Sequence, residues 1–578
     1  MNYKKLLSLL TLVPMTAILA GCPKPEDPDA IKDENQRHFH DQEERVTLRD
    51  VIHYGEGLGF PCASTGNARV LVVPIEFTDF PADDIGHYYN ADLDGGVAKK
   101  HTDDAATHGR GADNAIEDIR KFYFGEPEET TWHSLSSYYK EASYGKLQIK
   151  GQVVPYWTKA FVNSLDYTPC STAEFIDGGG NARILLSQIV NDIAKYDYNQ
   201  YTDDDGNHFT SESKFRQYFD SDHDGYIDLV EGVYSAPFRV QRSTETHTQA
   251  EWDDIFWAYC GSSGGDPSTV KPKISKWAFQ SYYTAVEGGR QVGTDWRYWT
   301  CQEIVDGLAK TDAHTVIHES GHGLGLPDYY NTDKQDGKTS GAVDMMAFNI
   351  GDHNSHSKSL LGWVDPVVVT GPTRVTINSF TTTGDCIYLP YRGYYDDGND
   401  VDKKNKNTFN TEYIAIELMT PTGVNKADSD YAYMNSYPKV PDIAGIKAYH
   451  VDSRLAIKDG SSYPYKFVNY TSSIVNVESP KFVTHAHTNS PSTTVKNADG
   501  TYNFQLQYLY KNKDKNPGQI TNASLYQQGD VLFDGNLYGD FKMNSGAALG
   551  YKVTIESLTW DQANPENASA TLLFEAKH

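Results

Sequence analysis

The chain is poor in sulfur. Six cysteines and seven methionines serve 578 residues. No two cysteines form a C-x-x-C pair, which argues against a cysteine-built zinc site. Positive charge is also scarce. Lys and Arg number 51 against 78 Asp and Glu, a formal net charge of −27. A general nucleic-acid binder needs a basic face, so no nucleic-acid partner is expected. An acidic surface suits an exported protein or one that holds cations. Beyond the N-terminus no run of 18 apolar residues occurs, so no membrane-spanning helix is expected. No fixed-period repeat is present. Aromatic residues are abundant: 40 Tyr, 23 Phe and 9 Trp. Disordered chains lack them, so most of the chain folds, with length enough for roughly three domains.

The N-terminus reads as a targeting segment. Lys4 and Lys5 precede an apolar stretch over 6–19, too short to span a bilayer comfortably. Leu19-Ala20-Gly21-Cys22 follows and resembles a bacterial lipobox. Residues 1–21 are then a lipoprotein signal peptide, and Cys22 is the lipidation site and mature N-terminus. Acyl chains on Cys22 become the sole contact with a membrane. Residues 22–64 are rich in Pro, Asp and Glu and read as a tether or short pro-region. Of the other cysteines, Cys62, Cys170, Cys260, Cys301 and Cys386, the pairing is not legible. Cys62 is either a structural or paired cysteine or an inhibitory thiolate.

Two kinds of periodicity divide the remainder. Residues 70–77 (VLVVPIEF) form a buried strand by length and β-branching. Residues 134–144 read as a helix with Leu135, Tyr138, Tyr139 and Ala142 on one face and Gly145 as its stop. Strand and helix signals interleave to about 365. After that the runs 367–369, 413–418, 551–558 and 568–574 are strand-like and separated by turn clusters. The expected fold class is α+β. A catalytic domain over 65–365, with a mixed sheet and an active-site helix, precedes a β-sandwich-like region of one or two modules over 366–578.

The densest chemistry is H-E-S-G-H at 318–322. On a helix, positions i and i+4 point the same way, so His318 and His322 can reach one zinc ion. Glu319 stands beside them as a general base that later serves as acid. Val316 and Ile317 supply an apolar face, Asp312 a cap, and Gly323, Gly325 and Pro327 the stop. No Glu occurs between Glu319 and Glu412, so the third ligand is not a nearby downstream Glu. The H-E-x-x-H-x-x-G-x-x-H pattern is matched through Gly325 with Asp328 in the last place. Asp328 is the third ligand, with His353 or His356 as fallback. His314 lies one turn before His318 and is either a histidine that supports the ligands or a packed or exposed helix histidine. In Asp344-Met345-Met346-Ala347, Met346 is the candidate methionine beneath the metal. The oxyanion-stabilising residue is not legible, and a substrate-pairing strand is expected near residues 277–284.

These residues carry a resemblance. HESGHGLGLPD (318–328), DMMA (344–347) and LLGWVDP (360–366) resemble the immune inhibitor A family of bacterial zinc metallopeptidases. VLVVPIEFTDFP, ending at Pro81, and SLSSYYKEASYGKLQIKGQVVPY (134–156) are similar to its early core. YIAIELMTP (413–421) and GIKAYHVDS (445–453) are similar to its later strands. The resemblance implies a metzincin-like secreted zinc endopeptidase with structural calcium. Two departures are visible: the Met-turn reads V-D-M-M-A-F, and little chain precedes the core to serve as a long propeptide.

Calcium also has its own signal. Asp220, Asp222, Asp224, Tyr226, Asp228 and Glu231 occupy the ligand positions of an EF-hand loop, with Gly225 at the obligatory turn. The residues after it read as strand, so a loop that staples the catalytic domain is expected, without the second helix. Asp203-Asp204-Asp205-Gly206 reads as a surface loop. Together these features describe a monomeric, lipid-anchored zinc endopeptidase of the bacterial cell envelope, exposed outside the cytoplasm and acting on proteins or peptides. Two other readings stay open: a surface adhesin or glycan-binding scaffold on an inactive protease fold, and a glycan deacetylase.

Overall fold

The computed structural model describes residues 35–38, 61–86, 88–89, 99–100, 109–130, 132–160, 182–237, 258–262, 265–286, 290–292, 295–297, 299–331, 340–394, 412–433, 437–458, 465–468, 483–485, 487–489, 506–512, 519–535 and 541–577. The signal segment, Cys22, nearly all of the tether, Cys170 and the Lys- and Asn-rich stretch at 402–411 lie outside them. Among the described residues no helix is long and apolar enough to cross a membrane.

The first sheet forms around β1 (Gly66–Glu76). Val70 and Val72 face one apolar core, and Leu71, Val73 and Ile75 face another. Side chains alternate faces along a strand, so a strand apolar throughout is buried on both sides. The helices that cover it are α1 (Ala112–Phe124) and α2 (Leu135–Ala142) on one face and α3 (Ala182–Asp192) on the other. The remaining strands are β2 (Leu147–Val153), β3 (Leu229–Tyr234), β4 (Tyr259–Ser262) and β5 (Lys276–Ser281). Their order is β2–β1–β3–β5–β4, with Thr158–Lys159 added on β1. All pairs are parallel except β5–β4, so β4 is an antiparallel outer strand.

Helix α2 follows its sequence closely. Ser134 caps it: its hydroxyl accepts the Ser137 N–H at 3.1 Å while the Ser137 hydroxyl accepts the Ser134 N–H at 2.9 Å. Leu135, Tyr138, Tyr139 and Ala142 are its buried face. Tyr144 and Gly145 then turn left-handed and end it.

Helices α4 (His314–Gly323), α5 (Met345–Phe348) and α6 (Ser355–Leu360) follow. The later strands are β6 (Val367–Val369), β7 (Thr373–Asn378), β8 (Cys386–Leu389) and β9 (Glu412–Met419). After the short α7 (Lys426–Asp430) come β10 (Gly445–Asp452), β11 (Gln507–Tyr510), β12 (Val531–Leu532), β13 (Tyr551–Thr559) and β14 (Ser569–Ala576). A second sheet runs from the strand Gln36–His38 through β6–β8–β9–β10–β11, and a third runs β7–β14–β13–β12. On β9, Tyr413 and Ala415 join the core around α2 and α4, whereas Ile414, Ile416 and Leu418 join a core shared with the third sheet. The architecture is mixed α/β. The apolar core around the HExxH helix continues past residue 365, where the composition changes.

Candidate active site

The site begins with the way α4 starts and stops. Its first free N–H, at His314, donates to Asp312 Oδ1 at 3.0 Å, and Val316 and Ile317 seat the helix in the core. At the other end Gly325 adopts φ +98° and the Leu326 N–H returns to the Gly321 carbonyl at 3.1 Å. The chain therefore reverses at once, and Asp328 comes back over the helix face that carries the two histidines. Asp328 Oδ1 lies 3.1 Å from His318 Nε2 and 3.2 Å from His322 Nε2. Among the described residues these three form a group able to hold one metal ion.

The outer nitrogens are already committed. His318 Nδ1 donates to the Met345 carbonyl at 2.7 Å, and His322 Nδ1 donates to the Leu326 carbonyl at 2.7 Å. Each bond fixes a tautomer with the Nε2 lone pair turned inward, the usual support for a ligating histidine. Burial alone would raise the Asp328 pKa. The two imidazoles outweigh it and hold that carboxyl well below the usual range. Neither fallback histidine joins the group. His353 lies among the rings of Tyr138, Tyr139 and Trp363, and His356 Nδ1 pairs with the Tyr413 hydroxyl at 2.8 Å.

Glu319 is buried beside the ligands. Burial pushes it up to about 8, against the pull of His318 and with added push from Asp328 and Glu231, and the Cys260 backbone N–H on β4 donates to it. Tyr330 was not singled out by sequence. Its hydroxyl is hydrogen-bonded to Asp328, it lies within electrostatic range of Glu319, and its ring lies 6.5 Å from that of His318. Its position two residues after the third ligand is the signal that could have found it. Beneath the helix, a Cβ on Gly321 would lie 2.5 Å from Met346 Sδ, so glycine is what lets Met346 sit there. The neighbouring Met345 supplies the carbonyl that orients His318. Cys62 is structural: its N–H and Sγ both reach the Gly323 carbonyl, at 3.0 and 3.4 Å.

Two expectations need correction. Strand β5 covers most of 277–284 but is flanked by β3 and β4, and Tyr282–Val286 is helical, so the outer strand beside the site is β4. In the acidic loop, Asp220, Asp222 and Asp224 come together as a possible cation group, and Asp228 and Glu231 do not join them. Asp228 spends its oxygens on the Arg69 and Ser221 N–H groups at 2.7 and 3.1 Å and on the Ser221 hydroxyl. Glu231 lies on β3 and turns under α4, where Ser320 donates to it at 2.7 Å and Tyr123 also donates. Strand alternation overrides the loop pattern there. Tyr226 opens a two-residue strand, Tyr226–Ile227, and its N–H donates to Asp224 Oδ1 at 2.8 Å. Asp204 of the neighbouring acidic run pairs with Arg69 at 2.6 Å.

Two imidazoles on one helix turn, a carboxylate beyond its end and a buried glutamate between them are the chemical equipment of a metallopeptidase. Residues 62–350, half of the chain, match the family model described as immune inhibitor A peptidase M6, catalytic domain, and the chain belongs to that family. No curated protein matches it.

Proposed function

We propose that the protein is a zinc endopeptidase with a metzincin-like site, in which His318, His322 and Asp328 hold the ion. The convergence of their three donor atoms carries this reading. Spacings of 3.1–3.2 Å between the imidazole nitrogens and the carboxylate oxygen are close to the edge, about 3.3 Å, of a tetrahedron with bonds near 2 Å. Zinc, when bound, supplies the Lewis acidity that polarises the scissile carbonyl and makes water a nucleophile. Glu319 takes the proton of the attacking water and passes it to the leaving amine. Tyr330 donates its hydroxyl to the carbonyl oxygen as negative charge builds there. No covalent bond to the protein forms. An extended substrate pairs its backbone with β4.

The same proposal assigns calcium to Asp220, Asp222 and Asp224. Asp220 is 1% exposed, and its Oδ1 has no hydrogen-bond partner while Oδ2 accepts the Gly225 N–H. Burial, followed by the charge of Asp224, pushes Asp220 up to about 6, a cost that a bound hard cation removes. Acylation of Cys22 would hold the enzyme, as a monomer, on the outer side of a bacterial envelope membrane. The test uses chain beginning after Cys22, loaded with zinc, against casein. The parent is expected to cleave and Glu319→Gln to be inert. Equal cleavage by both would remove Glu319 from the mechanism and the site with it.

A further inference from the structure

We infer that His314 is a positioning residue that bolts the first turn of α4 to residues 424–433, so that chain beyond the family-matched region sets the orientation of His318 and His322. The ring is committed on every side. Nδ1 lies 2.6 Å from Asp312 Oδ1, and Nε2 lies 3.1 and 3.3 Å from the two oxygens of Asp428. An ionised carboxylate only accepts, so both ring nitrogens carry protons and His314 is an imidazolium between two anions. Trp132 stacks on one face, with centroids 3.9 Å apart, and Tyr433 on the other at 4.1 Å. A cation between two aromatic faces is held by both. The residue is 2% exposed.

The partners come from three separate stretches. Asp312 leads into α4, Trp132 precedes α2, and Asp428 and Tyr433 belong to α7 and the chain after it. Cross-ties join them. Asp428 also accepts the Gly351 N–H at 2.6 Å, close behind the α5 turn whose Met345 carbonyl orients His318. Trp132 Nε1 donates to the Val424 carbonyl at 3.1 Å, and the Tyr433 hydroxyl lies 3.1 Å from Thr315 Oγ1. Asp428 thus grips both structures that meet at His318: the start of its helix and the turn beneath it. His133 is a further titratable group near the ring, and burial, followed by the His314 charge, keeps it neutral by driving it down to about 4. Metal sites tolerate ligand displacements of only about 0.5 Å, so a helix released at its first turn loses register at the second.

The inference rests on the metallopeptidase reading for what the helix does, and the test separates the two. His314→Phe keeps the stacking and loses both ion pairs. Asp428→Asn keeps an acceptor for Gly351 and loses the charge. Both are compared with the parent and with Glu319→Gln for turnover of a quenched peptide and for zinc release to a chromogenic chelator. The expected result is kcat lowered ten- to a hundredfold with KM within threefold, and zinc released at least tenfold faster, in both variants. Glu319→Gln is expected to lose turnover with zinc release unchanged. Folded variants that keep kcat and zinc release within twofold of the parent would overturn the bolt. A parent that binds zinc but cleaves nothing would sink the peptidase reading and leave zinc release to decide the bolt. Should neither variant fold, hydrogen exchange on the parent decides: amides 316–320 should exchange as slowly as the core, and exchange at the rate of a frayed helix end would overturn the inference.

Discussion

Removing the Tyr330 hydroxyl is expected to lower kcat by about 10²–10³ with little change in KM, because a donor to a developing oxyanion acts only in the transition state. Steady-state kinetics of Tyr330→Phe read that split, and a rise in KM alone would make Tyr330 a binding residue. His314 gives a second prediction. Opposed by burial but lifted by Asp312 and Asp428, its pKa rises from the ordinary 6.5 to about 10. A raised folded-state value adds stability that is complete below about pH 6.5 and lost as pH climbs through about 10, at roughly 1.4 kcal/mol per unit. His133, already neutral, adds nothing across that window. Urea unfolding of the parent between about pH 7 and 10 should show this decline, and His314→Phe should flatten it. At this scale the sequence was legible where chemistry is local. His318, Glu319, His322 and Asp328 lie within eleven residues, so helical period and one glycine turn suffice to assemble them. His314 was ambiguous because Asp428, the partner that defines it, lies 114 residues away.

Elements were legible by period and less so by neighbour. The runs at 413–418 and 551–558 lie within β9 and β13, and those at 70–77 and 568–574 match β1 and β14 except for one end residue each, because alternation and β-branching are written in the residues themselves. Which strand is outermost is a matter of sheet order, and β4 is too short and small-residued (Y-C-G-S) to announce itself. The acidic loop shows the same limit. Its spacing pointed to six ligands, yet β3 had already taken Glu231 for the underside of α4. Withdrawing calcium is expected to lower the melting temperature by several degrees, with a midpoint that rises with calcium concentration, since a ligand for the folded state stabilises by mass action. Calorimetry with and without a calcium chelator reads this, and Asp220→Ala should abolish the dependence. The Cys260 N–H has a related consequence at β4. In the proposed substrate mode, its bond to Glu319 would set the scissile bond beside Cys260, between Tyr259 and Gly261.

The molecule as a whole is a stack of layers: α3, the first sheet, the active-site helices, the second sheet and the third. Tyr388, Tyr413, Tyr449 and Val451 of the second sheet lie in the core that holds α4. A chain ending at 365 is therefore expected not to fold cooperatively, because it exposes the apolar face those residues cover and leaves His314 without Asp428. The full chain should give a transition that the truncated one lacks in tryptophan fluorescence. A truncated chain with parental kcat would refute the layering as a requirement. The stack also imposes an order in time. A chain threaded from its N-terminus completes the HExxH helix before it supplies the residues that lock it. A copy still being made is then expected to be inert until it has folded through its second sheet.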